Sequence, residues 1–190
     1  MHGKRLRQTL RLYTISTSTN RTKYLRDNNI FGAIGNNCNV NSRKIPLYAK
    51  LIKLGNNVRL GSNVTFVTHD VTHVMLNANP TLNGERFKEK IGCIEIQDNV
   101  FVGAGSTILY GVRIGSNVIV GAGSLVNKDV PSNSVVAGVP ARVISTFDEY
   151  IAKRKAEETY PENLGPGEEV IDDATAQWCW EQFYKNHAEK

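Results

Sequence analysis

The stretch Ile96-Gln97-Asp98-Asn99-Val100-Phe101, Val102-Gly103-Ala104-Gly105-Ser106-Thr107, Ile108-Leu109-Tyr110-Gly111-Val112-Arg113, Ile114-Gly115-Ser116-Asn117-Val118-Ile119 is four copies of one six-residue unit, each opening on an aliphatic residue. The period continues in units that start at Val120 and Val126, and it appears earlier in units that start at Leu54, Leu60 and Phe66. All nine first positions are aliphatic or Phe, and the fifth position is Val or Ser in eight of them, Asp70 being the exception. Two inward-facing residues per six are therefore specified.

A helix cannot use this pattern, because six is not a multiple of the helical repeat and Gly with Asn at second to fourth positions are poor helix formers. Short strands joined by corners in which Gly and Asn tolerate positive φ use it well. Three units then close one three-sided coil of about eighteen residues, and stacked coils pair their strands in parallel. The aliphatic first position fills the interior, and the small or β-branched fifth position fits the corner beside it. Such a stack is a solenoid, and its two ends need caps.

Working outward, Ile34-Gly35-Asn36-Asn37-Cys38-Asn39 reads as an earlier unit out of phase with the rest, and Ser42 to Tyr48 as an irregular step before the regular stack. Three segments follow: a basic N-terminal cap over 1–31, the coils over 32–144 with an insertion at 71–93, and a helical extension over 145–190. Residues 4–13 and 20–28 contain helix-compatible patches, and Phe147 to Thr159 reads as a helix with Phe147, Tyr150 and Ile151 roughly on one side. After the breaker-rich Pro161 to Gly167, Asp172 to His187 reads as a second helix carrying Trp178, Trp180 and Phe183. These ends are expected to cap the solenoid or to form an oligomer interface.

A chain of 190 residues buries one substantial core. Met1 to Arg11 is too polar for a secretory leader and no apolar run approaches bilayer length, so the expectation is a cytoplasmic protein used whole. Cys38, Cys93 and Cys179 are scattered and unpaired in pattern, as in a reducing compartment. Within residues 1–30, Lys4, Arg5, Arg7, Arg11, Arg21, Lys23 and Arg26 stand against Asp27 alone, a net of +6 where the whole chain carries +5. An arm of this kind suits an anionic membrane surface or an acidic polymer, although a solvated helix face is the commoner use of such charge. No nucleic-acid motif accompanies it, so no nucleic-acid partner is expected.

The period stops between Val71 and Cys93, and a long excursion from a coil is where function concentrates. His69 stands at its entry. The order Phe66-Val67-Thr68-His69-Asp70, then Asn83-Gly84-Glu85, then Ile96 to Gly103 resembles the sugar and xenobiotic branch of the hexapeptide-repeat acyltransferases, which includes galactoside, maltose and polysaccharide O-acetyltransferases. Val120-Gly121-Ala122-Gly123-Ser124-Leu125-Val126-Asn127-Lys128-Asp129-Val130-Pro131, followed by Ala137-Gly138-Val139-Pro140-Ala141-Arg142, resembles that family's cofactor-end signature. The likeness covers residues 54–144. The family often has Trp where Phe101 stands, Ser where Ala104 stands and a second Arg where Ser145 stands.

This resemblance implies an all-β fold, a left-handed parallel β-helix with short terminal helices, assembled as a homotrimer with each site between two neighbours. It implies acetyl-CoA as acyl donor, a sugar or polysaccharide hydroxyl as acceptor, and His69 as general base. An imidazole suits that role because its ordinary pKa of about 6.5 leaves it mostly neutral near pH 7. On its other nitrogen a carboxylate or carbonyl is expected; Asp70, next to it in a strand, should point the opposite way. His73, inside the excursion, is the rival base. For the cofactor the resemblance carries onto Ala104, Ala122, Asn127, Lys128 and Arg142, of which Lys128 and Arg142 have the charge to meet phosphates. Asn39, Asn83 and Glu85 are candidate acceptor contacts, with an ordinary polar loop as the plainer account.

Three other readings stay open: N-acetyl transfer to an amino sugar or antibiotic, a trimeric zinc hydratase of the same architecture, and a scaffold without turnover. The zinc reading needs three histidines, and only His69 and His73 are at hand, so no metal is expected.

Overall fold

Every one of the nine first-position residues, from Leu54 to Val126, is buried, and so is every fifth-position Val or Ser from Val58 to Val130. The computed structural model that shows this describes residues 2–157, 159–166 and 170–188. Two compact units make up the chain, Met1–Tyr150 and Ile151–Lys190.

The first unit opens with helices α1 (His2–Thr14) and α2 (Ser18–Asp27). Strands β1 (Ala33–Ile34), β2 (Asn39–Val40), β3 (Ile52–Leu54), β4 (Val58–Leu60), β5 (Thr65–Val67) and β6 (His69–Asp70) follow, then helix α3 (Thr72–Ala78). The chain continues through β7 (Lys90–Ile91), β8 (Ile94–Ile96), β9 (Val100–Val102), β10 (Thr107–Leu109), β11 (Val112–Ile114), β12 (Val118–Val120) and β13 (Leu125–Val126). It closes with β14 (Ser134–Gly138) and β15 (Ala141–Thr146), after which α4 (Phe147–Ala156) leads into the second unit.

Three parallel sheets take these strands in rotation. The first is β1-β3-β8-β11, the second β2-β4-β9-β12-β14 with β15 added antiparallel, and the third β5-β10-β13. Ile94 faces Val112, Val100 faces Val118 and Thr107 faces Leu125, eighteen residues apart each time. One circuit of the three sheets is thus three hexads, as the period requires.

The corners show why Gly and Asn recur. Seven of the nine fourth positions take positive φ, among them Asn57 at 53°, Asn99 at 58°, Asn117 at 55°, Gly105 at 72° and Gly123 at 70°; His69 and Asp129 do not. Asn is among the few side chains that visit this region readily. Stacked on one another, the Asn side chains at one corner form a ladder from Asn37 through Asn57, Asn99 and Asn117 to Asn133, with amide contacts of 2.9, 3.0, 3.0 and 2.8 Å. At Gly61 a Cβ would lie 2.7 Å from the Ala104 backbone nitrogen of the next coil, so coil spacing itself demands glycine there.

The unit at Ile34 is out of the six-residue phase by two residues, yet it pairs with the stack. Ile34 pairs with Leu54 and Asn39 with Arg59, twenty residues apart, because the irregular step through Ser42 to Leu51 replaces a third-sheet strand and adds two residues. The helices are more extensive than short terminal caps: α1 has 13 residues, α2 and α4 have 10 each, and α5 (Asp173–His187) has 15. α4 ends at Ala156, so Thr159 is not part of it; Glu158 and Gly167 lie outside the described residues. In the second unit Asp172 caps α5 by accepting from the Thr175 backbone N–H at 2.7 Å, and Thr175 Oγ1 accepts from Gly165 N–H at 3.1 Å. None of the described helices is long and apolar enough to cross a membrane.

Candidate active site

The excursion leaves and re-enters the coil through a clamp. β6 and β7 pair antiparallel, His69 opposite Ile91 and Asp70 opposite Lys90, and Gly92 N–H donates to the Thr68 carbonyl at 2.9 Å. Asp70, the one fifth position that is neither Val nor Ser, turns away from the core to hold this clamp. Its carboxylate accepts from Thr72 Oγ1 at 2.5 Å, from Thr72 N–H at 3.2 Å and from the Tyr110 hydroxyl at 2.6 Å. Hydrogen bonds from Thr72 and then Tyr110 hold its pKa down to about 2, and donating to Asp70 pushes the Tyr110 phenol up. Lys90 Nζ sits 5.2 Å above the Tyr110 ring. Asp70 is thus occupied as a strut and does not orient His69, as the alternation of strand side chains requires.

Beyond the clamp the excursion is ordered. α3 is followed by a 3-10 turn at Pro80–Leu82, and Asn77 binds both backbone groups of Phe87, donating to its carbonyl at 2.9 Å and accepting its N–H at 2.8 Å. Asn83 takes left-handed φ at 48° behind that turn, and Glu85 is exposed beside it. Asn39 is elsewhere: its amide donates to Ser18 Oγ at 2.8 Å, tying β2 to the start of α2.

His69 is half-buried. Its Nδ1 is buried with no hydrogen-bond partner among the described residues. The expected carboxylate or carbonyl on Nδ1 is therefore not found within the described chain. What meets the ring is Tyr48, edge-on, with centroids 5.2 Å apart and planes at 75°. Tyr48 itself has φ 53°, a costly conformation for an aromatic residue. Its hydroxyl reaches both oxygens of Glu89 at 3.2 and 3.0 Å, and that hydrogen bond raises the Tyr48 phenol pKa. Thr68 Oγ1 donates to the Leu47 carbonyl at 2.6 Å, anchoring the Tyr48 segment to the coil. His73 also has a buried Nδ1 without a described partner. Among the described residues no three His, Cys, Asp or Glu side chains cluster as metal ligands would.

The cofactor candidates fall at two corners. In the third sheet Phe66, Ile108 and Val126 are in register, so the chain beyond them carries Thr68 and His69, Tyr110, and Asn127 with Lys128 along one corner. At about 4.8 Å per coil, Lys128 lies about 10 Å along the axis from the His69 coil. A hollow of about 280 Å³ there is lined by Asn127, Lys128, Pro131 and Arg142 among others. Arg142 Nη1 donates to the Ala141 carbonyl at 2.8 Å, and both cations are exposed. Ala104 and Ala122 are exposed at the next corner, between the second and third sheets, where Gly123 N–H donates to the Ala104 carbonyl at 2.8 Å. The third sheet separates the two corners. One chain therefore joins His69, Asn127, Lys128 and Arg142 on one edge, and the small flat residues on another.

Tyr48, Glu89 and Tyr110 are absent from the sequence expectations. Tyr110 had a signal: it is the one aromatic among third positions otherwise held by Asn, Ser, Thr, Asp, Ala and Lys. Tyr48 had none, since it lies in the aperiodic step.

Comparison with known proteins bears on this arrangement. The bacterial transferase hexapeptide (six repeats) family matches residues 94–128. The chain is 37% identical over 142 residues to protein CapG of Staphylococcus aureus, covering 73% of this chain and 79% of CapG. It is 36% identical over 135 residues to the galactoside O-acetyltransferase of Lactococcus lactis, covering 60% of this chain and 62% of that protein. A solved structure of a galactoside acetyltransferase in complex with coenzyme A superposes with a TM-score of 0.54 at 28% identity, covering 84% of this chain and 86% of that one. Across the first curated relatives, the matched stretch spans from 44% to 79% of their lengths.

Proposed function

Because this chain belongs to the bacterial transferase hexapeptide family of acetyltransferases, we propose that it moves the acetyl group of acetyl-CoA onto a hydroxyl of a sugar or cell-surface polysaccharide, with His69 as general base. The observation that carries this reading is the placement of His69: a half-buried imidazole at the mouth of an ordered excursion, on the same coil corner as Lys128. The relatives named for O-acetyl transfer to galactosides supply the acceptor class.

The chemistry balances without a further reactant. As the acceptor oxygen attacks the thioester carbonyl, His69 Nε2 takes its proton and a C–O bond forms. The tetrahedral oxyanion collapses, the C–S bond breaks, and the imidazolium returns the proton to the departing sulfur. An ester and free CoA leave. Lys128 and Arg142 meet the phosphates of CoA, and Asn127 borders them, while the Ala104 and Ala122 corner accepts the pantetheine arm. In this reading the coil winds left-handed and three copies assemble in the cytoplasm, so that the His69 edge of one protomer faces the alanine corner of its partner across the third sheet. That arrangement accounts for two half-sites on different corners of one chain. Asn83 and Glu85, at the tip of the excursion, contact the acceptor, and Asn39 belongs to the packing of α2.

The test is CoA thiol release by the purified protein with acetyl-CoA and a panel of free sugars, nucleotide sugars and oligosaccharides. His69→Ala and His69→Asn should lose about a hundredfold or more in turnover while retaining CoA binding. The transferred acetyl group should be released by mild hydroxylamine, as an ester is and an amide is not. Turnover near the wild-type level in both variants removes His69 from the role. A hydroxylamine-stable product assigns N-transfer to an amino sugar instead.

A further inference from the structure

We propose that α1 is an interfacial helix that holds this protein against an anionic lipid surface. The inference is independent of the transfer chemistry and rests on how α1 distributes its side chains.

Leu12 faces the core and is 0% exposed, so the inner side of α1 is fixed. On another side Leu6, Leu10 and Tyr13, spaced i, i+4 and i+7, form a continuous column at 60%, 58% and 54% exposure. A helix docked on a core normally spends its apolar residues on the docked face; this one carries a second apolar face that the unit leaves open. Beside it runs a second column, Lys4, Arg7 and Arg11, spaced i, i+3 and i+7, with Arg5 also exposed. None of these four cations is in an ion pair among the described residues, and no acidic residue precedes Asp27.

Other basic residues of the segment are taken up by the fold. Arg21 is buried and donates to the Ile15 and Ser16 carbonyls at 3.0 and 2.8 Å and to Asn41 Oδ1 at 2.8 Å. Arg26 donates to the Ile34 and Gly35 carbonyls, and Lys23 pairs with Asp27 at 2.5 Å. What faces outward is the α1 set, in which Arg11 donates to Thr14 Oγ1 at 3.3 Å and none of the four cations meets an acidic group among the described residues. The helix is also fixed in place: Arg43 Nη1 donates to the carbonyls of Leu12, Tyr13 and Ile15 at 3.3, 3.1 and 3.2 Å, satisfying acceptors that a helix C-terminus leaves open.

An apolar stripe edged by cations matches the boundary between acyl chains and anionic headgroups, where leucines enter the apolar layer and arginines stay at the charged surface. A nucleic acid would have no use for the stripe. A second copy of α1 would bring four more cations against these four, which opposes self-pairing. The charge complementarity therefore selects an anionic membrane.

The experiment is co-sedimentation of the full chain with vesicles of phosphatidylglycerol and phosphatidylcholine, and with vesicles of phosphatidylcholine alone. The expected result is binding to the mixed vesicles that weakens as salt rises and is far weaker on phosphatidylcholine. Leu6→Glu with Leu10→Glu should reduce binding at least about tenfold, and Arg7→Gln about fivefold. Both should leave the thermal melt unchanged. Failure of the wild type to bind, equal binding to both vesicle types, or full binding by the melted-normally leucine variant overturns the proposal. A change in molecular mass by light scattering in that variant, with vesicle binding unaltered, assigns the stripe to a second copy of the chain.

Discussion

The Tyr48 ring stands edge-on to the imidazole of His69, 5.2 Å between centroids, and its hydroxyl is held by Glu89 from the far end of the excursion. One aromatic thus couples the aperiodic step before the stack to the residue at the mouth of the insertion. An edge contact of this kind fixes the tilt of the imidazole without occupying either nitrogen. Tyr48→Ala should therefore lower kcat by about tenfold through loss of orientation, with KM for acetyl-CoA unchanged. Tyr48→Phe keeps the ring and should recover most of the rate. Equal losses in the two variants would mean that the hydroxyl and not the ring is what matters.

Asp70 and Tyr110 give a prediction in pH. A carboxylate whose folded pKa is depressed contributes stability above its ordinary value near 3.8, and loses it as pH falls toward about 2. The β6–β7 clamp should therefore loosen in that acid window, read as faster proteolysis of the excursion by an acid protease. The phenol moves the other way: raised above 10.0, it contributes below that value and is lost as pH climbs through the raised one. Asp70→Asn should remove the acid dependence and return one phenolate absorbance transition toward 10.0. If that transition stays where it is in the wild type, the 2.6 Å contact does not control the phenol.

The coil was readable because its geometry repeats: a first and a fifth inward position on each side of a triangle produce a six-residue period that no helix can imitate, and the first positions from Leu54 through Val126 obey it without exception. The excursion was visible only as a gap in that period. α3 buries none of its residues, so it has no apolar stripe by which a sequence could declare it. The two-residue excess before Ile52 likewise concealed that Ile34 pairs with Leu54. His69 stands out in the sequence only by its position beside the gap. Tyr48 was out of reach because a left-handed φ on an aromatic is imposed by surrounding packing and leaves no local pattern.

Lys128 and Arg142 border one hollow near the end of the coil. If they meet phosphates there, Lys128→Ala and Arg142→Ala should each raise KM for acetyl-CoA about tenfold, the loss of one charge-assisted hydrogen bond, with kcat little changed. With acetylpantetheine, which has the thioester arm and no phosphate, both variants should match the wild type. Equal impairment on both donors would place these side chains in folding rather than in binding.

The Asn ladder permits strain and hydrogen bonding to be separated at one position. Asn99 has φ 58°, accepts from Asn57 Nδ2 at 3.0 Å and donates to Asn117 Oδ1 at 3.0 Å. Asn99→Gly removes both contacts and keeps the backbone unstrained, at a cost of about 1 kcal/mol because the exposed partners regain water. Asn99→Ala loses the same contacts and adds the left-handed penalty of a Cβ, about 1–2 kcal/mol more. Asn133 ends the ladder with the single partner Asn117, so Asn133→Gly should cost about half as much as Asn99→Gly. Urea midpoints of the three variants decide the matter. Should Asn99→Ala and Asn99→Gly unfold together, the positive φ is not what selects asparagine at this corner, and the amide ladder alone must explain its recurrence through five coils.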